Sequence, residues 1–128
     1  MDLVGAGVGL VLAFWGFFHQ LIVGGAATTF QHLEEKQARL IVMTWVAQGA
    51  FMSYVGLMTA ALLFFFGSAT PAVMTALLMT GIALVLLAAH VFVTGYSTFM
   101  GPIRTGAVLE LTLGVYLLVL ILLRNPLA

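Results

Sequence analysis

The sequence has no cysteine. That absence excludes disulfides, thiolate metal sites, iron–sulfur clusters and thiol nucleophiles. Charge is almost missing as well. Only 6% of the 128 residues are Asp, Glu, Lys or Arg, against about a quarter of an ordinary soluble domain. The basic residues are Lys36, Arg39, Arg104 and Arg124, and the acidic ones are Asp2, Glu34, Glu35 and Glu110. So little charge excludes a water-soluble globule and a disordered chain. It also excludes a nucleic-acid binder, whose footprint is basic. The formal net charge is zero, so no broad field recruits a partner of either sign. Period-2 alternation is lacking too, which argues against barrel strands. No catalytic motif names a reaction.

What is present is apolar: 63% of the residues are hydrophobic. Four stretches reach the roughly 20 residues that a transmembrane helix needs. They run over about 3–24, 40–66, 71–98 and 106–123. The fold class expected is all-α: a polytopic integral membrane protein, an up-down-up-down four-helix transmembrane bundle, as one domain over 1–128. The breaks have physical causes. Gly24-Gly25 releases the first helix. Gly67-Ser68-Ala69-Thr70-Pro71 is a turn that places Pro71 at the first position of the next helix. Gly101-Pro102 ends the segment after the third helix, and Asn125-Pro126 closes the fourth. Thr28 and Gln31 have capping-box spacing, and Glu35 precedes Arg39 by four residues in the favourable order for an ion pair. The second helix is therefore expected to begin near Thr29. Met1-Asp2-Leu3 lacks the positive start of a signal peptide, so the first helix is read as retained.

Lys36, Arg39 and Arg104 fall on one side of this arrangement and Arg124 on the other. That three-to-one bias predicts both termini outside the cytoplasm of a bacterial inner membrane. The partners expected are the lipid bilayer and a homo-oligomer or larger membrane complex. Gly5 with Gly9, and Gly49 with Ser53, form small-xxx-small pairs that fit tight helix contacts or a dimer seam. Trp15 and Trp45 fit either an aromatic belt or core packing.

Ionisable groups within a membrane are costly and mark functional candidates. At about 1.5 Å per residue, His19 lies roughly 8 Å inside the end of helix one and Gln48 roughly 13 Å beyond Arg39. On the same scale His90 lies roughly 8 Å before Gly95, and Glu110 roughly 9 Å beyond Arg104. Antiparallel alternation puts all four near one membrane face, with Arg104 at its mouth. Thr44 and Gln48 share a helix stripe, as do His90, Thr94 and Ser97. Glu110 shares its stripe with the small residues Gly106, Ala107 and Gly114. The other half of the bundle is almost purely aliphatic and aromatic. His19, Gln48, His90, Arg104 and Glu110 are thus the candidate ligand- or proton-binding residues. Substitution of Glu110 or His90 is expected to perturb the protein more than changes in the aliphatic half.

Three uses of this set follow. The first is a non-enzymatic binding or assembly protein with a polar site in the cytoplasmic-side half. The second is proton-coupled transport of a small solute or ion by a homo-oligomer, since an acid and two imidazoles can relay protons. The third is a haem held by His19 and His90, or a metal held by His19, His90 and Glu110; the sequence itself requires no cofactor. A di-iron carboxylate site is disfavoured, because no Glu/His pair has i, i+3 spacing. Length and helix count match the fluoride channels and small multidrug exporters, but their motif residues are absent. In layout the chain resembles small four-helix membrane proteins of the DoxX-like kind. Glu35 with Arg39 stands for their acid/arginine entry into helix two, and Arg104 for their arginine ahead of helix four. That resemblance implies the four-helix architecture alone.

Overall fold

A computed structural model describes residues 1–24, 28, 33–95 and 101–124. It contains four long helices: α1 (Asp2–Leu21), α2 (Glu35–Ala61), α3 (Pro71–Gly95) and α4 (Gly101–Arg124). A π-helical turn, Leu62–Phe66, continues α2. Each of the four is long and apolar enough to cross a membrane. Their outward faces carry Phe14, Phe17, Leu21, Leu40, Phe65, Leu86, Val93 and Leu122, all exposed. A soluble monomer does not present apolar surface on this scale, whereas a lipid environment accepts it. The chain is a four-helix integral membrane protein.

α1 packs on α2 and α3 packs on α4, and the two hairpins join mainly through α1 and α4. The α1–α2 seam is built from backbone. A Cβ on Gly16 would lie 2.5 Å from the Gly49 carbonyl oxygen, and one on Gly9 would lie 2.8 Å from that of Gly56. These small residues let the helices close to direct contact, where dispersion replaces the hydrophobic drive that lipid does not supply. The pairs Gly9–Gly56 and Gly16–Gly49 also establish the antiparallel register. Gly49 and Ser53 are thereby used within the chain.

α3 and α4 approach through Gly81 and Gly114. Between α2 and α3 lies an open cleft of about 240 Å³, lined by Phe51, Val55, Met79, Thr80, Ala83 and Leu84. The core of the bundle is a layer of fully buried Leu12, Met52, Leu77, Leu84, Leu113, Leu117 and Leu120.

Two helix starts differ from those expected. α2 begins at Glu35 rather than near Thr29, because Leu33 and Glu34 are non-helical and Glu34 is extended (ψ 144°). Arg39 then pairs with Glu35 across the first turn. Gln31 of the expected capping box lies outside the described residues, as do Ser97 and Asn125-Pro126. α4 begins at Gly101 rather than Gly106. Pro102 sits in its first turn, where a missing N–H costs no intrahelical bond, so Gly101-Pro102 opens a helix instead of ending one. Pro71 starts α3 as expected. Gly67, with φ +66°, supplies the left-handed residue that ends the π-turn.

Candidate functional site

Burial divides the expected site residues. His19, in the last turn of α1, has 0% exposure. Its ring stacks on Trp45 with centroids 4.2 Å apart and planes 7° from parallel. Trp45 is held there by its Nε1–H, which donates to the His19 carbonyl oxygen at 2.7 Å; it is a core residue and not part of a belt. Neither ring nitrogen of His19 has a hydrogen-bond partner among the described residues. Glu110, on α4, also has 0% exposure, and neither carboxyl oxygen has a partner among the described residues. Gln48 is half-buried and its Nε2 is buried without a partner. Arg104 is half-buried in the first turns of α4.

His90 does not join them. It is exposed on α3, as are Thr94, which donates to the His90 carbonyl, and Thr44, which donates to Leu40 and Ile41. The stripes proposed through Thr44 and through His90 therefore face outward. Helical spacing alone could not separate the two faces of helices apolar all round. Among the described residues no three His, Asp or Glu side chains gather as a metal site. The His19–His90–Glu110 set is not formed among the described residues, and His90 faces outward, away from the buried His19.

Depth is also redistributed. Gly5 faces Tyr116, and Gly106 faces Trp15, so α1 and α4 run antiparallel with Glu110 level with Val11. Val11 stands midway along α1, about eight residues, or roughly 12 Å, from His19. Glu110 is thus near the centre of the span and not at the shared depth expected. The reason is the earlier start of α4, which adds more than a turn of helix ahead of it.

The inner stripes show what surrounds these groups. α1 contributes Leu12, Trp15 and His19; α2 contributes Trp45, Gln48, Met52 and Thr59; α4 contributes Gly106, Glu110, Leu113 and Leu117. Trp15 was not expected in the site, yet its Nε1 is also buried without a partner among the described residues; Thr59 Oγ1 is likewise unpartnered there but lies beside Gly9, in the far half of the bundle. Indole and hydroxyl groups are common in membrane helices, so no sequence signal singled them out. Gln20 and Ser53 are satisfied. The Gln20 side-chain amide donates to the Gly16 carbonyl at 3.2 Å and to Ser53 Oγ at 3.3 Å, and Ser53 donates to Gly49 and Ala13 carbonyls.

The far face holds a second polar group that sequence reading missed. Asp2 accepts from the Ser68 backbone N–H (3.1 Å), the Ser68 hydroxyl (2.8 Å) and Arg124 Nη2 (3.1 Å). The Tyr116 hydroxyl donates to the Met1 carbonyl at 2.6 Å. These bonds join the start of α1, the α2–α3 turn and both ends of the second half of α4. Their partners are up to 122 positions apart, so no local spacing announces them.

No family model matches the chain, and no curated protein or solved structure matches it.

Proposed function

We propose that this is a non-enzymatic binding protein of a bacterial inner membrane. Its site is the polar half of the bundle interior, formed by His19, Gln48, Trp15 and Glu110 with Arg104 toward the mouth. One observation carries the reading: buried polar atoms without a partner among the described residues lie on the inner stripes of three helices. A buried polar group left unsatisfied costs about 1–3 kcal/mol, and a native fold retains such groups chiefly where water, an ion or a ligand completes them. The three-to-one basic bias places this half on the cytoplasmic side and both termini outside.

The test is native mass spectrometry of protein taken from its own membrane into lipid nanodiscs. The parent is expected to retain a small molecule that Glu110→Leu loses while remaining folded. A parent that carries nothing beyond lipid, under conditions that preserve other bound ligands, refutes the binding reading. Proton-coupled transport has one observation in its favour, the mid-span position of Glu110. It requires proteoliposome flux that Glu110→Gln abolishes, across a leucine layer that now separates Glu110 from the far face.

A further inference from the structure

We infer that the groove between α1 and α4 admits, sideways from the bilayer, a single-chain lipid-soluble small molecule bearing a hydroxyl group, which Glu110 and Trp15 bind. The inference rests on the binding function proposed above and names its ligand class and entrance.

The groove has a volume of about 430 Å³ and is lined by Val11, Phe14, Trp15, Phe18 and Leu109. That size lies within the range of small-molecule sites. Its depth matches that of the acid: Val11 is level with Glu110, and Leu109 is the preceding residue on α4. Trp15 belongs to both places. Its ring forms part of the groove wall, while its buried Nε1 lies beside Gly106, one turn of α4 from Glu110. A Cβ at Gly106 would stand 3.4 Å from that nitrogen, so the glycine lets the indole edge pack directly against α4. Trp15 therefore stands between the groove and the inner face of α4 that carries Glu110.

The unpartnered atoms specify the ligand's polar end. As a carboxylate, Glu110 accepts hydrogen bonds through both oxygens, whereas Trp15 Nε1 and Gln48 Nε2 donate them. A hydroxyl does both. The groove walls carry no charged side chain, which disfavours an ionic headgroup, and their apolar character suits an alkyl chain or ring. A route from the far membrane face is closed by Leu113, Leu117 and Leu120, each fully buried. The α1–α4 groove offers entry from the side, at the depth of Glu110.

Tryptophan fluorescence tests this directly. In Trp45→Phe protein, Trp15 is the single tryptophan, because the chain has two. The probes are a bromine-tagged long-chain alcohol and the matching bromoalkane, added to phosphatidylcholine vesicles holding the protein. The alcohol is expected to quench Trp15 saturably, and Glu110→Leu to raise its half-saturation at least ten-fold. Val11→Phe, which fills the groove from the lipid side, is expected to do the same. The bromoalkane should quench weakly, without saturation and without dependence on residue 110. The same series in the two-tryptophan parent guards against a folding defect of the background.

Equal quenching by both probes, or indifference to Glu110→Leu, overturns the inference. If the parent still carries a Glu110-dependent molecule by mass spectrometry, the binding function stands and only the hydroxyl class falls. Glu110-dependent saturation that survives Val11→Phe overturns the side entrance.

Discussion

Two acids on membrane-spanning helices, Asp2 and Glu110, meet opposite surroundings. Asp2 has three hydrogen-bond contacts that join distant segments. Asp2→Ala is expected to lower stability by about 1.5–3 kcal/mol, the usual range for hydrogen bonds to a charged group. Arg124→Ala removes one exposed pair and should cost less than about 1 kcal/mol. Equilibrium unfolding in mixed micelles measures both. Glu110 has no partner, so replacing it with an apolar residue of similar size removes an unsatisfied group. Glu110→Leu is expected to stabilise the ligand-free protein by about 1–3 kcal/mol while abolishing binding. That combination would mark a residue kept for function at the expense of stability. His90, expected from sequence to matter as much, is exposed, and His90→Ala should leave the melting temperature unchanged.

Among the elements, the α1–α2 hairpin is the tightest. Its glycines divide by what faces them. A Cβ on Gly56 would lie 2.4 Å from the Gly9 carbonyl oxygen and 2.5 Å from the Ala13 nitrogen, whereas one on Gly7 would meet nothing within 4 Å. Backbone cannot move aside as a flexible side chain can. Gly56→Ala should therefore force the helices apart and cost about 1–3 kcal/mol. Gly7→Ala should be neutral or stabilise by about 0.5–1 kcal/mol, the ordinary helix gain over glycine. Thermal unfolding of the two variants side by side checks the contrast. If Gly56→Ala proves as benign as Gly7→Ala, the seam is looser than these distances imply.

At the scale of the whole molecule, orientation rests on few charges. Because the chain lacks cysteine, single introduced thiols report it cleanly. In right-side-out cells, Ala69→Cys is expected to react with a membrane-impermeant maleimide and Lys36→Cys only after lysis. The reverse pattern inverts the topology. The closure of the molecule is asymmetric as well. Asp2, Ser68, Arg124, Met1 and Tyr116 tie one face together, while Glu110, Trp15, Gln48 and His19 carry the unpartnered atoms from mid-span toward the other face. Rigidity at one end and unsatisfied polarity toward the other suit a site that admits a ligand without unfolding the bundle.

Four helices, their lipid setting and the turns at Gly67 and Pro71 were legible in the sequence, because long apolar runs and helix-breaking residues act locally. So were the stripe of Gly106, Ala107, Glu110 and Gly114, and the costly character of Glu110. Which face each helix turns inward was not legible. Helices that are apolar on every side carry little amphipathic signal, so His90 and Thr44 were placed inside when they lie outside. Depth depended on where α4 begins, and the ambiguous Gly101-Pro102 pair shifted that start by five residues. Trp15 enters the site through its position opposite Gly106, and Asp2 gains its role from residues at the far end of the chain. The amino-acid sequence by itself determined that this chain crosses a membrane four times and buries an acid in doing so. Only the tertiary structure decided which polar groups face one another, because contacts between helices depend on rotation and register, which a uniformly apolar helix does not encode along its own length.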